Sequence, residues 1–152
     1  MTRFAGLLGG LILCAACSTG TRVGLDETAA LYHDDLRWGR LPAAEGSVGG
    51  ALRAAFHARR RGWGTEVTVV DLEIVHLRQN SGRGTARVRV AWTRGNDSTD
   101  IRESVVEELW EARLGVWQLS AEAVIAGDPG VFAAVPEGDA GAGDAAASRR
   151  PG

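Results

Sequence analysis

Residues 84–92, GTARVRVAW, set Ala86, Val88, Val90 and Trp92 on one parity and Arg87 and Arg89 on the other. Strict alternation of apolar and charged residues is the pattern of a strand with one buried and one wet face. Outward from this run, the same period of two governs the chain from Glu66 onward. Val70, Leu72 and Ile74 alternate with Asp71 and Glu73, and a later run carries Trp117, Leu119, Ala121 and Ala123 on one parity, expected inward. Between them, a run from about Thr99 to Ala112 is expected to change face near the adjacent Val105 and Val106, as a bulge or bend would produce. The connections NSGRG, RGNDS and ARLG are short, so the four runs should pair as antiparallel neighbours in a meander.

Upstream, the period is helical. Leu25, Ala29, Tyr32 and Leu36 share one face of a helix running to about Trp38, with Asp26 as its cap and Gly39 as its stop. Pro42 opens a short helical turn, and Leu52, Ala55 and Phe56 mark another helix with Arg59, Arg60 and Arg61 at its C-terminal end. Helices followed by a sheet with one wet face define an α+β domain, expected over residues 25–135. Past Pro136 the chain is built from Gly, Ala, Asp and Arg without periodicity. Such a segment has no face whose burial offsets its ordering entropy, so residues 136–152 are expected to be a disordered tail. Apolar residues at 45% and charged residues at 24% suit one core, and the formal charge of −2 gives no reason to expect a polyanion or nucleic-acid partner.

The N-terminus is read separately. Met1 to Arg3 is short and positive, and Phe4 to Leu13 is an apolar run ending near the small residues Ala15 and Ala16, so residues 1–16 have signal-peptide architecture. An apolar run of ten rises only about 15 Å as a helix, half the thickness of a hydrocarbon core, and cleavage fits better than a permanent span. Leu13-Cys14-Ala15-Ala16-Cys17-Ser18 resembles the lipobox of bacterial lipoproteins, with Cys14 standing where that family usually has leucine. The resemblance makes Cys17 the lipid attachment site and residues 17–24 a lipidated tether. It also implies a bacterial cell envelope location facing the periplasm, held to the membrane through the N-terminal lipid; Ser18 favours the outer membrane. The alternative is an ordinary signal peptide cut after an alanine. Cys14 and Cys17 are the only cysteines, so the domain is expected to fold without disulfides.

Within the domain, Tyr32-x-x-x-Leu36-Arg37-Trp38-Gly39 in the first helix, four long strands, and Trp110 and Trp117 flanking the last hairpin resemble the nuclear transport factor 2-like (cystatin-like) fold. The resemblance covers about residues 25–127. It implies N-terminal helices packed on a curved, cone-like four-stranded antiparallel sheet. Enzymes of that fold, such as the ketosteroid-isomerase-like group, place an acid and a tyrosine in the pocket. Tyr32, the sole tyrosine, with Glu103 or Asp71 would be the corresponding groups here.

No catalytic residue, metal site or cofactor follows from these residues. His33, Asp34 and Asp35 are adjacent, but neighbours on a helix point apart, which favours a solvated polar face over an acid and base pair. His33, His57 and His76 have no partner at metal-ligand spacing. Arg59, Arg60 and Arg61 are the candidate anion contact, weighed against helix-end charges facing water. Tyr32 and Trp110 are the candidates for a pocket or interface. Trp110 lies on the opposite parity from Val105 and Leu109, which would set it on an open sheet face. Two functions remain: a non-catalytic envelope lipoprotein acting as a protein-binding or structural module, with an envelope protein or a second copy as partner, or a small-ligand-binding or isomerase-like pocket protein.

Overall fold

The computed structural model describes residues 23–95 and 99–133. The signal segment, Cys17 and the expected tail over 136–152 lie outside the described residues. Helix α1 (Leu25–Arg37) and the short α2 (Leu41–Glu45) are followed by a 3₁₀ turn, Gly50–Leu52, that runs into α3 (Arg53–Arg59). Then come β1 (Val67–Asn80), β2 (Arg83–Arg94), β3 (Arg102–Arg113) and β4 (Val116–Gly127), and a last 3₁₀ turn over Pro129–Val131. The strands form one antiparallel sheet in the order β1-β2-β3-β4, so the α+β class and the meander stand.

Helix α1 buries Leu25, Ala29, Tyr32 and Leu36, the spacing of a single apolar face. Asp26 does not cap it. Gly24 is the N-cap residue, and Asp26 lies with Glu27 in the first turn, where a carboxylate suits the helix dipole. Leu25 seats on β2 at Gly84, where any Cβ would collide with the Leu25 side chain. The chain-start end of α1 therefore sits at the β1–β2 hairpin, while its far end reaches Asp71 through Arg37, at 3.1 Å.

On β2 the expected alternation holds: Ala86, Val88, Val90 and Trp92 are buried and Arg87 and Arg89 are exposed. Its neighbours keep their apolar residues on the same face by means of bulges. Strand β1 skips register at Val70 and Val75, both exposed, so Val67, Val69, Leu72, Ile74 and Leu77 all turn toward the core. The placement of Val70 on the inward parity is corrected by the first of these bulges. Each extra residue bends the strand and restores the face that a simple period of two would have lost.

Strand β3 does not change face at Val105 and Val106. Ser104, Val106, Glu108 and Trp110 are buried in unbroken alternation, and Leu109 is exposed. The irregularities lie on β4, where Ser120 and Ile125 are the extra residues opposite Leu109/Trp110 and Val105/Val106. Leu119 faces inward before the first, and Glu122 and Val124 after it. Trp117 is half-buried against the core, whereas Ala121, the register partner of the exposed Leu109, and Ala123 turn outward rather than inward.

Candidate functional site

Two glutamates face each other across β3 and β4. Glu108 and Glu122 are register partners on the inward face, and both are almost completely buried. A carboxylate removed from water must be paired and hydrogen-bonded, and each is met by a different helix. Glu122 receives Arg60, the residue that caps α3, through Nη1 to Oε1 at 2.6 Å and Nη2 to Oε2 at 2.5 Å. Arg59 Nη1 adds a bond to the Glu122 carbonyl at 3.0 Å. Glu108 is met by His33 of α1, whose Nε2 lies 2.9 Å from Oε1, and by Trp110 Nε1, which donates to Oε2 at 3.1 Å.

The two pairs are joined through Tyr32. Its hydroxyl accepts from Arg60 Nη2 at 3.2 Å, and its ring meets His33 and Trp110 edge to face at 5.1 and 5.3 Å. Burial pushes the Tyr32 pKa well above the ordinary phenol value, because the phenolate would have to form without water and near Glu122 and Glu108, a cost that Arg60 only partly offsets. Burial acts against the charge on Arg60. The charge of Tyr32 once ionised, the hydrogen-bonded Glu122 and the nearby Glu108 outweigh it and hold the guanidinium pKa above its usual value.

Arg60 also lies in an aromatic cage. Its guanidinium is 4.2 Å from the Phe56 ring centre, 4.9 Å from that of Phe132 and 5.0 Å from that of Trp63. Planar, weakly hydrated guanidinium suits such faces better than a lysine ammonium does. The cage is closed from below by the turn after β4: Trp63 Nε1 donates to the Val131 carbonyl at 2.8 Å, and Ala133 N donates to the Arg59 carbonyl at 2.8 Å. The network thus ties α1, α3, β3, β4 and the last turn into one unit.

His33 Nδ1 and Arg60 Nε have no hydrogen-bond partner among the described residues. Both residues, with Glu108, Val88, Val106 and Phe132, line an interior space of about 10 Å³. That is room for about one water molecule. The open clefts lie elsewhere. One of about 630 Å³ is bordered by Arg59, Trp63, Arg94 and Phe132, and another of about 430 Å³ by Arg78 and Arg83 on the β1–β2 hairpin.

Several expectations change at this site. Trp110 is not on an open sheet face; it is 1% exposed and packs on Tyr32, because the polar Ser104 and Glu108 share its inward parity and conceal it in the sequence. Arg60 is neither solvated nor free to meet an external anion, since Glu122 occupies it. Arg59 is partly engaged by the same residue, and Arg61 alone of the three is exposed with no side-chain partner among the described residues. His33 leaves the expected polar face for the core, while Asp34 and Asp35 stay outside and bind Arg40 at 2.5 and 2.8 Å. Glu103 and Asp71 are exposed, so the acids near Tyr32 are Glu122 and Glu108. Cys17 lies outside the described residues. Sequence reasoning missed Glu108 and Glu122: Glu108 shares its parity with the polar Ser104, and Glu122 lies on the outward parity counted from Leu119 until the Ser120 bulge turns it inward. Compared with family models, with curated proteins and with solved structures, the chain matches none of them.

Proposed function

We propose that this chain is a lipid-anchored protein of the bacterial cell envelope, facing the periplasm, whose nuclear transport factor 2-like domain serves as a non-catalytic binding or structural module. The lipobox resemblance around Cys17 supports the address. The observation that carries the role is the state of the interior where a pocket of this fold would lie. Arg60, Glu122, Tyr32, His33 and Glu108 bind one another there, leaving only His33 Nδ1 and Arg60 Nε without a partner among the described residues, and the remaining space is about 10 Å³. A small-molecule site occupies roughly 300 Å³ or more, so a ligand entering this interior would have to displace the Arg60–Glu122 pair and the Phe132 turn together. The outer sheet face carries charged side chains paired across strands, Arg87 with Glu107 and Arg89 with Glu73, which suits polar contact with another envelope protein or a second copy.

Two measurements test the reading. Intact mass of protein extracted from membranes should give a chain beginning at Cys17 with acyl chains attached, and Cys17→Ser should release it from the membrane fraction. A Cys17→Ser chain that stays in the detergent phase overturns the anchor. Titration of the purified protein with steroid-sized and fatty apolar ligands should leave the melting temperature unchanged. A saturable rise at one ligand per chain would favour the pocket reading instead.

A further inference from the structure

The three features at the chain-start end of the domain belong together. The strands of a meander place the β1–β2 and β3–β4 hairpins at the same end, and Ala112 N donates to the Gly82 carbonyl at 2.8 Å, so the two tips touch. Leu25 packs on Gly84 at that end, which brings Val23 and Gly24 beside the tips. Residues 18–23 span at most about 20 Å when fully extended. A lipid on Cys17 would therefore keep this end within about 20 Å of the bilayer.

The surface there is built for such a neighbour. Both hairpins turn through two residues in the left-handed region, Ser81-Gly82 and Leu114-Gly115. At the first of these positions Asn, Asp or Gly is cheap, whereas Leu114 holds φ at +52° with its side chain fully exposed. A leucine kept in a strained backbone conformation in full contact with water has no folding reason to be there. Val116, next along, is 58% exposed. Around the tips stand Arg78 and Arg83, exposed, without a side-chain partner among the described residues, and bordering the cleft of about 430 Å³. Arg113 is also there, bound to Glu111 at 3.1 Å. The acids of the same end are Glu111, so engaged, and Asp26 and Glu27 in the first turn of α1.

We infer that the hairpin end docks on the lipid surface, with Leu114 entering the headgroup region and Arg78 and Arg83 meeting anionic headgroups. The inference rests on the proposed Cys17 anchor for its proximity but has its own contacts. An apolar tip with flanking cations gains from burial of the leucine and from attraction to anionic lipid together.

The test uses the mature lipidated chain carrying Leu114→Cys labelled with an environment-sensitive nitrobenzoxadiazole dye, reconstituted in vesicles of phosphatidylglycerol and phosphatidylcholine. Cys14 leaves with the signal segment and acylation blocks the Cys17 thiol, so position 114 is the single labelled site and intact mass reports the anchor independently. Emission should shift to the blue and be quenched by spin-labelled lipid, while the same dye at Thr65→Cys, at the opposite end, should remain water-like. In the unacylated Cys17→Ser chain, Arg78→Ala with Arg83→Ala should weaken binding to these vesicles roughly thirtyfold, about fivefold per arginine. Water-like emission at position 114 in acylated, vesicle-bound protein overturns the docking and leaves the anchor standing. A chain with Cys17 intact that intact mass shows to carry no acyl group, and whose label still shifts on anionic vesicles, overturns the anchor and leaves the docking standing.

Discussion

Glu122 pairs with Arg60 on the inward face of the sheet and Glu107 pairs with Arg87 on the outward face, both at hydrogen-bonding distance. Arg60 and Glu122 are almost without solvent contact, whereas Arg87 is half exposed and Glu107 about a third. The same two functional groups thus differ in what they would lose if separated. Water replaces either partner of the outer pair. Nothing replaces the inner one, so its value lies less in attraction than in the cost of leaving a charge buried alone.

Alkali should give the largest break in the comparison, because it reaches the inner network through Tyr32. The folded pKa of Tyr32 lies above its unfolded value, near 10. Below that value its contribution to stability is complete, and it is lost as pH rises toward the folded pKa. With a single tyrosine in the chain, absorbance at 295 nm follows one group. The phenolate signal should appear above pH 10 and together with the loss of native tryptophan fluorescence. Ionisation near pH 10 in a chain that is still folded would show that the network admits water.

A smaller effect comes from cutting one buried partner. Glu122→Ala leaves Arg60 caged and unpaired and should cost about 3 to 5 kcal/mol, read from the urea midpoint. Replacing both groups by apolar ones, Arg60→Met with Glu122→Leu, should recover most of that loss, since the surroundings of Arg60 are already aromatic. A single mutant as stable as the parent would erase the distinction between the two faces.

The smallest effect belongs to the outer pair. A double-mutant cycle on Arg87 and Glu107 should give a coupling of about 0 to 1 kcal/mol that shrinks further in added salt. Coupling well above that range would mean that the outer face is covered in solution, and would sharpen the search for what covers it.

The same contrast explains what could be read before folding. β2 was legible in full because apolar residues alone mark its inner face, and α1 was legible through Leu25, Ala29, Tyr32 and Leu36. The inner faces of β3 and β4 were not, because Ser104 and Glu108 share the inward parity of β3, and the Ser120 bulge turns Glu122 into the core from the parity that Leu119 marks as outward. Ser104 is accommodated by bonds that depend on the tertiary fold, accepting from Trp92 Nε1 and donating to the Asp128 carbonyl at 2.5 Å. His33 and Arg60 read as surface groups in the sequence for the same reason: their partners lie 75 and 62 residues away. The bulges at Val70, Val75, Ser120 and Ile125 left no mark because each extra residue is an ordinary strand residue rather than a glycine or proline. A charged group whose only justification is a distant opposite charge cannot be distinguished locally from one justified by water.

Those bulges have a further consequence at the two open margins of the sheet. β1 and β4 each expose one side of the backbone ladder, the side on which a foreign strand could add. On β4, Ser47 and Gly49 occupy part of it by bonding both backbone groups of Leu119, and the Ser120 and Ile125 bulges interrupt the rest. On β1, Val67 is bonded by Gly62 and Gly64, and Val70 and Val75 break the regular spacing beyond. Molecules tethered to one membrane meet at far higher local concentration than the same number in solution. If the proposed anchor holds the chain in that way, an uninterrupted β1 would invite edge-to-edge polymerisation, which the irregular margins disfavour.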